Sequence, residues 1–192
     1  VSVKKYISRA LTTFYFGALL LFCSCDFFDR EGLNPGSHAP VVQIELYNQS
    51  VYKNFKTLKD FRGKVLLLNF WASWCAPCLK EMKDLEALYT AIGSEDFVIL
   101  AIALDDTKQA VQNFIKNNEV SFPVGLESQG IAKNKYQVTG FPETFILDKA
   151  GKIVLVKDPL AGLVSRIKGE RSWSDPLYIS LIRDLLSKNS NQ

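Results

Sequence analysis

Cys75 and Cys78 stand three positions apart, after the apolar run Val65-Leu-Leu-Leu-Asn-Phe-Trp71 and at the start of an amphipathic stretch. A bare C-x-x-C can serve as half a zinc site, a structural staple or a redox pair. A strand that delivers the pair to a helix start favours the redox use, because unpaired N–H groups and the positive end of the helix dipole stabilise a thiolate there. The thiolate attacks a partner disulfide and forms a mixed disulfide. Cys75, at the helix N-terminus, is then the nucleophile, its pKa held below the free value of roughly 8.5. Cys78, about one turn in, resolves the mixed disulfide by attacking Cys75. Pro77 suits the helix start, where its missing N–H would have had no intrahelical acceptor.

The other uses of the pair find little support. A zinc site needs about four ligands, and the domain offers one C-x-x-C and a single histidine, His38, in a stretch that reads as linker. A copper site joining paired cysteines to a distant histidine would need one downstream, and there is none. A loop this short constrains the unfolded chain least, and a disulfide-stapled scaffold would need more pairs. No metal and no dissociable cofactor is expected. Glu81, three residues after Cys78, flanks the apolar stripe. It reads either as a proton acceptor that deprotonates Cys78 or as a helix-surface glutamate beside Lys80 and Lys83. Trp74 suits an apolar docking surface next to Cys75, and Trp71 suits the core.

The elements that must position these residues follow from periodicity. Val41–Leu46 alternates like a strand, and Ser50–Phe55 reads as its hairpin partner around Asn48-Gln49. The aliphatic run at Val65–Phe70 predicts a strand buried on both faces. Cys78, Met82, Leu85, Tyr89 and Ile92 form one stripe of a helix that Gly93 ends. Phe97–Leu104 is a second buried strand. Thr107–Asn117 reads as a helix with Ala110, Val111, Phe114 and Ile115 inward, and Glu127–Tyr136 as a short one. Glu143–Leu147 and Lys152–Val156 form a hairpin around Asp148–Gly151. Asp175-Pro176 starts a final helix to about Leu186. The expected fold is α/β: a central mixed β-sheet with helices on both faces and an N-terminal β-hairpin extension, in the thioredoxin order.

The chain has 192 residues and a formal charge of +3, enough for one domain and without a basic block that would recruit nucleic acid. Lys4, Lys5 and Arg9 precede an apolar run from about Ala10 to Phe22, a positive start and apolar core of signal-peptide length. Ser24 before Cys25 matches a bacterial lipoprotein signal, with Cys25 the lipidated residue, although Phe22 departs from the usual leucine. An uncleaved signal anchor and free secretion remain open. Residues 1–25 are thus read as signal or anchor, 26–39 as linker, 40–187 as the domain and 188–192 as a polar tail. The domain is expected outside the cytoplasm, on the periplasmic or cell-envelope side, tethered to the membrane.

Trp71-Ala-Ser-Trp-Cys-Ala-Pro-Cys78 with Glu81, followed by Thr139-Gly-Phe-Pro-Glu-Thr-Phe145, resembles the membrane-tethered extracytoplasmic thioredoxins, the TlpA, ResA and CcmG group of thiol–disulfide oxidoreductases. The resemblance covers roughly Ala39 to Leu186. It implies that Pro142 is cis and lies against the disulfide of Cys75 and Cys78, and that Phe141 offers main-chain hydrogen bonds to a substrate chain. It implies that Glu81 is the active-site glutamate and that Glu143, which follows the proline as in the cytochrome-maturation members, joins Trp74, Phe141 and Pro142 in binding substrate; by its position alone Glu143 reads equally as an exposed strand end. Ordinary thioredoxins carry a buried aspartate six residues before the first cysteine. Asn69 stands there and cannot accept a proton, which shifts proton handling to Glu81. Trp173 matches a recurrent family segment and is expected to pack. The stretch from Val156 to Arg171 is longer than the family pattern, which leaves the last strand's pairing open.

The resemblance implies client protein thiols and disulfides as partners, an upstream membrane electron donor of the thiol-relay type, and reduction of apocytochromes c or copper-oxidase assembly factors. The chain is expected to act as a monomer. A peroxiredoxin would need Thr or Ser three residues before its cysteine and Pro four before that, where Ala72 and Leu68 stand. A rival of another class is a non-enzymatic thioredoxin-like binding module or metallochaperone, which would bind metal stoichiometrically without exchange activity.

Overall fold

The computed structural model describes residues 32–48 and 52–188. The signal or anchor read at residues 1–25, with Cys25, lies outside them. Among the described residues no helix is long and apolar enough to cross a membrane. The element order is β1 (Glu45–Leu46), a 3-10 helix (Leu58–Phe61), β2 (Val65–Trp71), α1 (Ala76–Ile92), β3 (Phe97–Ala103), α2 (Lys108–Asn117), β4 (Val124–Leu126), α3 (Ile131–Lys135), β5 (Glu143–Leu147), β6 (Val156–Asp158), β7 (Gly162–Val164), β8 (Ile167–Lys168) and α4 (Pro176–Ser187).

Six strands form one sheet in the order β1-β4-β3-β2-β5-β8. β2, β3 and β4 run parallel, which requires crossovers, and α1 and α2 supply them. β1, β5 and β8 are antiparallel to their neighbours. All seven residues of β2 are buried because both parities meet a layer. Val65, Leu67 and Trp71 pack with Met82, Leu85 and Leu88 of α1, Phe114 of α2 and Ile182 of α4. Leu66, Leu68 and Phe70 pack the other way, on Ile44, Phe61, Ala132 and Tyr136. The mixed α/β sheet expected from the sequence is thus the fold.

Three details depart from expectation. The N-terminal β-hairpin is not the arrangement of the described residues: Glu45 and Leu46 pair with Leu126 and Gly125 of β4 instead. Residues 41–46 and 52–57 meet at a Gln43–Thr57 bridge and one bond from the Ile44 N–H to the Lys56 carbonyl. The cause lies in Asn48, read as a turn residue. Its Nδ2 donates to the Phe122 carbonyl and its Oδ1 accepts from the Val124 N–H, both at 2.8 Å, which fastens β1 beside β4. Gly125 leaves the room for this approach, since a Cβ there would stand 2.8 Å from Ile44 Cγ2.

The second departure concerns the stretch read as linker. From Gly32 it lies against the 148–153 turn: the Gly36 N–H donates to the Ile153 carbonyl (2.8 Å) and the Ile153 N–H to the Ser37 carbonyl (2.9 Å). The third concerns the return strand of the 143–156 hairpin. The turn forms, with the Asp148 N–H donating to the Lys152 carbonyl, but ladder contact with β5 is limited to a Leu147–Ile153 bridge and a Val154–Ile146 bond. The chain then leaves for a separate β6–β7 hairpin, and β8 takes the edge beside β5.

Candidate active site

Cys75 is the N-cap of α1: its backbone is extended (φ −87°, ψ 99°) and its sulfur accepts from the Cys78 N–H at 3.3 Å. Ala76 and Pro77 follow as the first helical residues, so the proline removes a donor that had no partner. The two cysteines form a disulfide, their Cα atoms 5.3 Å apart. Both are buried; Cys75 keeps a 5% exposed edge and Cys78 only 1%, the order that an attacking and a resolving thiol require. In the reduced state the free N–H groups of the first turn stabilise negative charge on the Cys75 sulfur.

Glu81 is buried, not a surface glutamate (2% exposed). Its Oε1 accepts from Asn69 Nδ2 at 3.0 Å, and Asn69 Nδ2 also donates to Thr144 Oγ1 at 2.9 Å. Asn69 and Thr144 are register partners across β2 and β5, so the sheet itself aims this amide at α1. The other oxygen of Glu81 accepts from the Arg171 N–H at 3.2 Å. Burial is the dominant influence and pushes the carboxyl up to about 7; the nearby Trp173 indole, the Arg171 N–H and the Arg171 charge act in the opposite sense. Asn69, expected only to lack the aspartate's proton, is the residue that orients the Glu81 carboxyl.

The Phe141–Pro142 peptide is cis. Phe141 packs at the edge of the core cluster that contains both cysteines, and its ring meets Trp74 edge-on at 5.7 Å. Trp74 is 64% exposed, Leu79 on the first turns of α1 is also exposed, and together with Phe141 they give the redox pair an apolar rim. Trp71 is buried against Phe114.

Glu143, expected to face a substrate, is turned inward and 1% exposed. Its Oε1 accepts from the Thr139 N–H (3.1 Å) and hydroxyl (2.9 Å), and Arg166 and Lys168 stand within 3.6 and 3.7 Å. This corrects the substrate-contact reading: the carboxylate fastens the loop that carries Phe141 and Pro142. Strand alternation could not reveal this, because Glu143 opens β5 where the neighbouring β8 was not foreseen.

Other residues escaped sequence reasoning altogether. The Asp105 carbonyl accepts from Trp74 Nε1 at 3.2 Å, and Asp105 takes a left-handed conformation (φ 55°) held by an ion pair with Lys133. Asp106 accepts from the Ser73 N–H at 2.6 Å and from its hydroxyl at 2.9 Å. A paired Asp-Asp after an apolar strand was the available signal.

The AhpC/TSA family profile matches residues 35–156. The chain is 34% identical over 148 residues to the thiol-disulfide oxidoreductase ResA of Bacillus cereus, covering 73% of this chain and 83% of that protein. It is 35% identical over 130 residues to ResA of Bacillus subtilis, covering 68% and 70%. In fold it is similar to the thioredoxin domain of a thiol-disulfide oxidoreductase from Bacteroides vulgatus, with a TM-score of 0.61 at 24% identity over 80% of this chain and 99% of that one. StoA from Bacillus subtilis gives 0.56 at 22% identity over 76% and 96%.

Proposed function

The chain belongs to the AhpC/TSA family as a thioredoxin-like thiol–disulfide oxidoreductase, and on that premise we propose that it is a membrane-tethered extracytoplasmic enzyme that reduces disulfides of client proteins. The observation that carries the reading is the Cys75–Cys78 disulfide at the N-cap of α1, with the Glu81 carboxyl buried one turn behind it.

In the reducing direction the reduced enzyme starts with a Cys75 thiolate. It attacks a client sulfur, the client disulfide breaks, and its other sulfur leaves as a thiolate that takes up a proton. Glu81 accepts the Cys78 proton, and the resulting thiolate attacks Cys75 Sγ, releasing the second client thiol and forming the enzyme disulfide. Two electrons pass from enzyme to client, and an upstream thiol donor in the membrane restores the dithiol. A carboxyl pushed up to about 7 is matched to this transfer near neutral pH. Trp74, Phe141 and the cis Pro142 receive the client chain, with Glu143 holding their loop.

The positive start and apolar run of residues 4–22 support export and a tether, through lipid on Cys25 or an uncleaved anchor. Apocytochromes c and copper-oxidase assembly factors are the clients we propose. The Ala-Pro pair between the cysteines is compatible with a reductant, whereas a potential near roughly −120 mV would make the protein an oxidant.

Cys78→Ser in the exported protein tests the reading. It is expected to accumulate a mixed disulfide through Cys75, visible on non-reducing gels and abolished by a second Cys75→Ser change. Absence of any such adduct would overturn it, and mass spectrometry of the trapped species names the client.

A further inference from the structure

Arg171 and Asp158 lie outside the cysteine helix, yet they bear on its buried carboxyl. Asp158 ends β6 and is 2% exposed. It accepts from Arg171 Nε at 2.8 Å and Nη2 at 3.2 Å, from the Tyr178 hydroxyl at 2.8 Å, and from the N–H groups of Leu160 and Ala161. The remaining guanidinium nitrogen, Nη1, donates to the carbonyls of Lys168, Gly169 and Glu170 at 2.9 to 3.2 Å. The loop after β8 is therefore curled around its own arginine, and left-handed Gly169 (φ 82°) permits the curl. What the curl presents inward is the Arg171 N–H, 3.2 Å from Glu81 Oε2.

We infer that Asp158 and Arg171 are positioning residues for the proton step: their buried pair fixes the 168–171 loop so that its N–H meets the Glu81 carboxyl. The inference rests on the proposed role of Glu81 and deepens it. Asn69 holds one carboxyl oxygen from the sheet and Arg171 the other from the loop, so the carboxyl is gripped by two elements that approach from different sides. The groups that face it are Asn69 from β2 with Thr144 behind, and Glu170, Arg171 and Trp173 from the loop, while Cys78 precedes it by about one turn on its own helix. Lys80, Asp84 and Asp175 line the same 320 Å³ cavity as Glu81. A hydrogen bond donated to the carboxylate favours its charged form, so the loop offsets part of the effect of burial.

The sign of one substitution separates positioning from simple charge. Removing the Asp158 charge would by itself favour ionisation of Glu81 and lower its midpoint. Loosening the loop withdraws the N–H and raises it. Arg171→Lys keeps the positive charge but loses the planar fork that grips Asp158 and the three carbonyls.

The experiment is a side-chain carboxyl 13C titration of Glu81 in the oxidised full chain, where Cys75 and Cys78 do not titrate, with the resonance assigned by Glu81→Gln. Asp158→Asn and Arg171→Lys are each expected to move the midpoint upward, by roughly one pH unit. A midpoint that stays put or falls in either folded variant overturns the inference, even if the melting temperature drops. Should Asp158→Asn fail to fold, Arg171→Lys alone decides. The role of Glu81 is read separately from the pH profile of mixed-disulfide resolution in reduced Glu81→Gln: an unchanged profile sinks that role, whatever the titration gives.

Discussion

Burial moves the Glu81 carboxyl out of the ordinary carboxylate range. Below pH 4.5 it is neutral in both the folded and unfolded chain; between there and about 7 the folded protein holds a proton that the unfolded chain has lost. Its neutral form thus contributes stability at low pH that is lost as pH rises through about 7. The size, from the span between the two values, is on the order of 3 kcal/mol. In Glu81→Gln the oxidised protein is expected to lose this dependence. Its stability relative to wild type, followed by urea unfolding at pH 5 and pH 8, then grows by about that amount. A parallel pH dependence in both proteins would mean that the carboxyl is not buried as described. Asp158 lies on the opposite side of the ledger. Burial alone would raise it, but Arg171, Tyr178 and two backbone N–H groups bring it down to about 2, so its contribution holds above pH 3.8 and fades only toward about 2.

At the scale of elements, α1 carries the chemistry and its packing keeps the chemistry in place. The stripe read from the sequence omitted Leu88, which is fully buried and belongs to the same core as Cys78 and Met82. Tyr89 and Ile92, counted in the stripe, only rest on the rim of that core. Steps of three and four define a line along the helix, whereas the true contact is a band wide enough to include both Leu85 and Leu88. Leu88→Ala is expected to cost about 3 kcal/mol of unfolding free energy, measured by chemical denaturation, with the exchange rate per folded molecule little changed. The end of α1 was more legible. Gly93 adopts the left-handed C-cap conformation (φ 56°) that its place after Ile92 predicted, and the Asp175-Pro176 start of α4 is capped by the Asp175 carboxylate on the Leu177 N–H at 2.8 Å. Caps and buried strands are local, so they could be read; Glu143 and Asn48 bond to elements 4 to 76 residues away along the chain, and all but the nearest of these partners are invisible to spacing.

For the molecule as a whole, the proposed client surface is an assembly of separate parts: Trp74 before α1, Leu79 on it, and Phe141 from the loop before β5. The Asp105–Asp106 corner after β3 pins Ser73 and the Trp74 indole from a third direction. Because Trp74 is largely exposed, Trp74→Ala is expected to change stability by less than about 0.5 kcal/mol. Its exchange rate with a protein disulfide should fall several-fold, while its rate with a small disulfide such as oxidised glutathione stays near wild type. Equal losses with both substrates would assign the indole to the chemistry and not to docking. The β6–β7 hairpin, the part of the chain that outran the family pattern, is tied to the 168–171 loop beside Glu81 through Asp158 and Arg171 instead of through the sheet.

The redox pair, the helix that presents it, the buried strands behind it and the family are legible in the chain, because each rests on neighbours within a turn or a strand and on two specific motifs. The sequence also pointed to Glu81 while leaving open whether that residue was a surface charge. The packed fold answers that question. The carboxyl's state depends on burial and on hydrogen bonds from Asn69 and Arg171, which lie 12 and 90 residues away. The same reason explains the corrected hairpin and the inward Glu143: partners across the sheet are chosen by competition among distant segments, and that competition leaves no period in the chain.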